Sequence, residues 1–236
     1  MINKNEIKII GFDADDTLWI NESFYRDAED KFCKIVSEYV STEEANNRLF
    51  QTEIGNLEYY GYGIKAFILS LLETAFDISN GKISQDKIHE ILKIAKEMIN
   101  KPVELLDGVE EVLKTLHSKG YELIVATKGD LLDQERKLKK SGLEKYFHHI
   151  EIMSEKKIEN YQKLINHLEI EPQEFLMIGN SVKSDILPIL DLGGKAIHVP
   201  FSTTWAHEQV NTTDLVSFPV VKNITETMDI ILEKNN

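Results

Sequence analysis

The segment Phe12-Asp13-Ala14-Asp15-Asp16-Thr17-Leu18 places three carboxylates within four positions, directly after the apolar run Ile7–Phe12. A run that short, bounded by charge, predicts a buried strand. In open α/β sheets ligands bind in the crevice at the carboxyl ends of the strands. Carboxylates crowded at such a point repel one another unless a cation or a shared proton relieves them. Two readings are open. One is an acidic turn that caps the next segment. The other is a set of hard oxygen ligands suited to Mg2+, which keeps several waters and takes one or two carboxylates plus substrate phosphate.

Reactive residues recur at the ends of other apolar runs. Tyr121–Ala126 is followed by Thr127-Lys128-Gly129-Asp130, a hydroxyl and then a permissive glycine turn. Ile150–Met153 is followed by Ser154-Glu155-Lys156-Lys157, which supplies cations, and Phe175–Ile178 by Gly179-Asn180-Ser181-Val182-Lys183-Ser184-Asp185. Taken singly, each is an ordinary capping or solvated group. Together they put a nucleophile, a phosphate-binding hydroxyl, a cation and a metal ligand at one edge of one sheet.

The segments between these runs must hold them in place. Asp107 reads as the N-cap of a helix whose stripe is Val109, Val112, Leu113 and Leu116, with Gly120 past its end. Leu131–Ser141 ends in the same way at Gly142, and Ile158, Tyr161, Leu164, Ile165 and Leu168 form a further stripe closed by Pro172. With a fifth run at Ala196–Val199, strands alternate with helices. The expected fold class is therefore α/β, a Rossmann-like parallel sheet with helices on both faces. Residues 23–100 read as helical instead: Phe24, Ala28, Phe32, Ile35, Val36 and Tyr39 repeat at helical spacing, as do residues from Ile64 to Ala75 and from Ile88 to Ala95. The expectation is a helical insert at 21–102 in a core made of 1–20 and 103–236. Gly55 to Gly63, with Tyr59, Tyr60 and Tyr62, reads as an irregular stretch, either a packed turn or a loop that contacts substrate.

Composition narrows the function. The 236 residues are 42% hydrophobic, near the globular average, and carry a formal net charge of −13. That charge argues against a nucleic acid polymer as partner, since such binding needs a field of the opposite sign. It leaves room for a small phosphorylated metabolite, because a bound cation reverses the local sign. The single cysteine, Cys33, allows no disulfide framework, and its place in a helical stripe suits a packed thiol. The polar stretch Met1–Glu6 shows no signal peptide, and no apolar run approaches the ~18 residues of a membrane span. A soluble, cytoplasmic protein is expected. His148-His149 would point to opposite faces of a strand, and Trp205-Ala206-His207-Glu208 reads as a packed loop sooner than as an acid/base site.

The ordered set resembles the haloacid dehalogenase superfamily, whose first motif is matched by Asp13-Ala14-Asp15-Asp16-Thr17, the second by Thr127 and the fourth by Gly179-Asn180-Ser181 through Asp185. Lys156, five residues before Tyr161, matches the third, with Lys157 as its alternate. The resemblance implies a helical cap at the insert and hydrolysis of a small phosphomonoester through an aspartyl-phosphate. In it Asp13 is the nucleophile, Asp15 the acid/base, and Thr127, Lys156 and Asn180 bind substrate. Mg2+ is held by Asp13, the Asp15 carbonyl and Asp185. Phosphosugar mutases and 2-haloacid dehalogenases share the fold, and a non-catalytic binding protein is a further alternative. Two residues depart from the pattern: Asp16 stands where glycine is common and sets a third acid beside the site, and Asn180 stands where the first aspartate of the fourth motif is usual.

Overall fold

The computed structural model describes residues 6–203, 205–208 and 217–232. Residues 1–5, where most of the polar stretch Met1–Glu6 falls, and the polar residues 233–236 lie outside the described residues. The chain divides into two compact units, one of Met1–Glu22, Val103–Lys128 and Lys137–Asn236, the other of Ser23–Pro102 with Gly129–Arg136.

The first unit is built on five parallel strands, β1 (Ile9–Phe12), β2 (Glu122–Lys128), β3 (His149–Met153), β4 (Phe175–Gly179) and β5 (Lys195–His198), in the spatial order β3-β2-β1-β4-β5. Side chains alternate across a strand, so each short run feeds two cores. Ile10, Phe12, Leu123, Val125, Leu176, Ile178 and Ile197 face α5 (Val109–Ser118) and Leu138 of α6 (Leu131–Ser141). Ile9, Ile124, Ala126, Phe175, Met177 and Ala196 face α7 (Ile158–His167) and Ile189 of α8 (Leu187–Asp191). A last helix, α9 (Thr227–Leu232), buries Ile231 on the first face. The α/β sheet is thus covered on both sides, and the reversal of strand order lies between β1 and β4. One boundary differs from the sequence reading: α5 begins after Gly108, in the left-handed region at φ 80°, so Gly108 and not Asp107 is its N-cap.

The second unit packs α1 (Glu22–Val36), α2 (Thr42–Tyr60), α3 (Ile64–Ile78) and α4 (Gln85–Asn100) around Phe32, Leu49, Phe67, Leu71 and Ile91. The irregular stretch expected from Gly55 is instead the last turns of α2, which runs to Tyr60 and stops at Gly61 with φ 66°. Gly63, at φ 101°, then opens α3. Cys33 is buried and its thiol lies 3.1 Å from Asn46 Oδ1.

Candidate active site

The carboxyl edge of the sheet gathers a buried cluster of charge. Asp13 follows β1 directly, its N–H donating to the Ile178 carbonyl at 2.9 Å and so extending the ladder with β4. Lys156, beyond β3, is 4% exposed and donates from Nζ to Asp13 Oδ1 and, at 2.6 Å, to Asp185 Oδ1. Lys157 is exposed. Asp185 sits in a π-helical turn, Val182–Ile186, where Ser181 N–H donates to its Oδ2 at 2.9 Å and its own N–H returns to the Ser181 carbonyl at 2.8 Å. Only glycine fits at 179, because a Cβ there would lie 2.3 Å from Asp185 Oδ2.

Two carboxylates facing one ammonium leave a negative charge uncompensated. Burial pushes the Asp13 carboxyl up, to about 7, with Lys156 pulling it down and Asp185 pushing it further up. Burial works against the charge of Lys156, yet Asp13 and Asp185 outweigh it and hold the ammonium well above its ordinary value. Beside them Tyr161 is fully buried, its OH without a hydrogen-bond partner among the described residues. On the other side of Asp13, Thr17 Oγ1 donates to Oδ2 at 3.3 Å. With its NH2 turned inward, the Asn180 amide lies 3.2 Å from Asp13 Oδ2, the Asp15 carbonyl and Thr17 Oγ1 alike. Thr127, 2% exposed, ends β2 with its hydroxyl 3.4 Å from the Lys128 carbonyl.

The Asp15 side chain does not join the Asp13–Lys156–Asp185 group. Its Oδ1 accepts from the Trp19 indole at 2.7 Å, and both of its oxygens accept from Lys137 Nζ of α6, at 2.6 and 2.8 Å. Asp16, read from sequence as a third acid beside the site, does not join it either. It has φ 59°, and its carboxylate turns to the start of α1, accepting from Asn21 N–H at 2.8 Å and from Glu22 N–H at 3.0 Å. The left-handed backbone is what glycine would supply; Asp tolerates it and adds a cap. Burial raises this carboxyl to about 7, against those backbone donors.

Among the described residues no three His, Cys, Asp or Glu side chains form a ready metal cage. The oxygens of Asp13 and Asp185 and the Asp15 carbonyl are nonetheless hard ligands of the kind a divalent cation takes, and their surplus negative charge is what such a cation would relieve. The donor set therefore fits Mg2+, with Asp15 contributing through its backbone. Three charged residues here were not singled out from sequence: Lys137, Lys128 and Glu208. Lys137 lies on an exposed-looking helix face, while Lys128 and Glu208 find each other across 80 positions. His148 is exposed, and His149 pairs with Glu151 at 3.0 Å, away from the cluster.

The pattern of the haloacid dehalogenase-like hydrolases matches residues 7–193, a span that contains every strand end described above except that of β5. The chain belongs to that family. A haloacid dehalogenase-like hydrolase from Xanthomonas campestris superposes with a TM-score of 0.86 at 33% identity, covering 96% of this chain and 91% of its own. A glyceraldehyde 3-phosphate phosphatase from Methanothermobacter thermautotrophicus is 25% identical, covering 95% of this chain and 100% of its own. A predicted phosphoglycolate phosphatase from Haemophilus somnus 129PT shares the fold at a TM-score of 0.62 and 16% identity, covering 95% of this chain and 98% of its own. The protein is thus a hydrolase of the haloacid dehalogenase-like family, and the Asp13 cluster is the candidate active site of that family member.

Proposed function

We propose that this hydrolase cleaves a small phosphomonoester through a phosphoryl group carried on Asp13, with Mg2+ as its cofactor. The observation that supports it most is the buried Asp13–Lys156–Asp185 cluster, with its surplus negative charge, at the point where strand order reverses. Mg2+, when bound, supplies positive charge that lets a phosphate dianion approach these carboxylates. In this reading an Asp13 carboxylate oxygen attacks phosphorus in line, the P–O ester bond breaks, and the leaving oxygen takes a proton from Asp15. Asp15 then takes a proton from water as that water attacks the phosphoryl group, the acyl phosphate P–O bond breaks, and inorganic phosphate leaves Asp13 free. Serving as the acid requires Asp15 to let go of Lys137 and carry a proton. Lys156 neutralises the transferring group, and Thr127 and Asn180 donate hydrogen bonds to its oxygens. The four-helix unit has the role of cap, excluding water while the ester reacts.

The substrate class is a small phosphorylated metabolite, in keeping with the named substrates of the phosphatases it resembles. The test is phosphate release from a panel that includes glyceraldehyde 3-phosphate and phosphoglycolate, with Mg2+ or with chelator. Wild type should release phosphate only with the metal, and folded Asp13→Asn should release none in either. Release by Asp13→Asn at wild-type rate would overturn the nucleophile assignment. Absence of release by wild type from every ester would overturn the phosphatase reading, leaving sugar-phosphate isomerisation and 2-haloacid hydrolysis to be assayed.

A further inference from the structure

Beyond β5 the short turn Ala206–Glu208 brings one carboxylate to two elements distant in sequence. Glu208 Oε1 accepts from Lys128 Nζ, at the end of β2, at 2.5 Å. Its Oε2 accepts from Ser181 Oγ at 2.5 Å and from Ser184 Oγ at 2.6 Å, both in the turn that carries Asp185. Lys128 Nζ closes the ring by donating to Ser184 Oγ at 3.1 Å. The pair is largely withdrawn from water, at 15% and 12% side-chain exposure. The turn is fastened on its other side by Lys183 Nζ, which donates to the His207 carbonyl at 2.8 Å. Burial works to raise the Glu208 carboxyl, but Lys128 and the two hydroxyls hold it down at about 2, so the clamp is charged across the working pH range.

The residues clamped are chain neighbours of the site. Thr127 precedes Lys128, Asn180 precedes Ser181, and Asp185 follows Ser184. A charge-assisted ring of this kind fixes its members more firmly than neutral hydrogen bonds do. It also consumes the charge of a lysine that stands next to the hydroxyl expected to bind phosphate.

We propose that Glu208 is a positioning residue of this site. It ties the end of β2 to the turn after β4, and it neutralises Lys128 so that phosphate meets Lys156 as its cation. The inference rests on the phosphatase reading and adds to it a residue that touches neither substrate nor metal. Glu208→Gln keeps the size of the side chain and one acceptor for the serines but removes the charge. The turn then loosens, and the kcat with Mg2+ falls by about tenfold or more, because small misplacements of reacting groups are costly. Lys128, released beside the phosphate site, makes inorganic phosphate inhibit at a concentration lower by about three- to tenfold. Adding Lys128→Met to Glu208→Gln returns phosphate inhibition to the wild-type level without restoring kcat.

A merely structural glutamate would not divide the two readouts in this way. Wild-type kcat and wild-type phosphate inhibition in Glu208→Gln would overturn the proposal, and so would parallel weakening of both. A second arm needs no turnover: urea unfolding of wild type, the two single variants Glu208→Gln and Lys128→Met, and the double variant. Effects that are clearly non-additive show the clamp operating in solution, and additive effects overturn it. A non-additive cycle in a protein that releases phosphate from no ester would overturn the phosphatase reading and the positioning role together. Failure of Glu208 alone would leave wild-type phosphate release intact.

Discussion

Asp16 is an acid whose backbone decides its role. Its φ of 59° turns the carboxylate onto the Asn21 and Glu22 N–H groups at the start of α1. An asparagine keeps an acceptor and tolerates that conformation, whereas alanine loses the cap and retains the strain. Asp16→Ala should therefore lower unfolding free energy by about 2–3 kcal/mol. Asp16→Asn should cost far less, and its difference from wild type should depend on pH. The carboxyl rises from an ordinary 3.8 to about 7 on folding. A raised carboxyl binds its proton more tightly in the folded state, so wild type holds its full advantage below about pH 4 and loses it as pH climbs through 7. Chemical unfolding at pH 4.5 and pH 8 should show Asn gaining on Asp by about 2–4 kcal/mol at the higher pH. A difference that stays flat with pH would mean that Asp16 is not buried as described.

The strand ends and their turns are the elements that set geometry, and β4 with its π-helical turn bears most directly on the site. A methyl at 179 would sit 2.3–2.6 Å from the Asp185 side chain. Gly179→Ala must then push that carboxylate away from Lys156, and kcat should fall by about a hundredfold with the melting temperature nearly kept. Loss of fold in place of activity would show that the turn cannot yield locally. The strands were legible in the sequence because each is a short apolar run between polar stretches, and β1 and β4, at the centre of the sheet, are buried along their whole length. Helix α2 was not, because the face it buries is Ala45, Leu49 and Asn56, too sparse and polar a stripe to read. Asn56 is there to bond Ser70 at 3.1 Å and Glu73 at 2.8 Å, a partnership no local pattern displays. At the site, Asp13, Asp185 and the Lys156-Lys157 pair stood out because each follows an apolar run, and the resemblance to the haloacid dehalogenase superfamily pointed to Lys156 of the pair. Glu208 could not, since its meaning depends on Lys128 and on two serines it meets only in the fold. Lys137 was hidden likewise: a lysine on an amphipathic helix reads as solvated until Asp15 is found against it.

At the scale of the molecule, ligand and stability are linked through charge. The chain carries a formal net charge of −13, and the cluster at Asp13 adds a local surplus of the same sign. Inorganic phosphate offered with a chelator therefore meets repulsion from both and should leave the melting temperature unchanged. Mg2+ alone binds only the native arrangement of these carboxylates and should raise it. The pair together should raise it by more than the sum, because each supplies the charge the other needs. At about 100-fold excess over its dissociation constant a native-state ligand contributes about 2.7 kcal/mol. For a chain of this length that is about 5–10 °C. Asp13→Asn reverses the logic, since Lys156 and Asp185 then balance: phosphate alone should stabilise this variant, and the effect of Mg2+ should shrink. All the residues concerned belong to the first unit, so where the two units melt separately only its transition should move. Phosphate stabilising wild type without the metal would show that the site is already cationic in solution, and the surplus charge on which the Mg2+ assignment rests would be refuted.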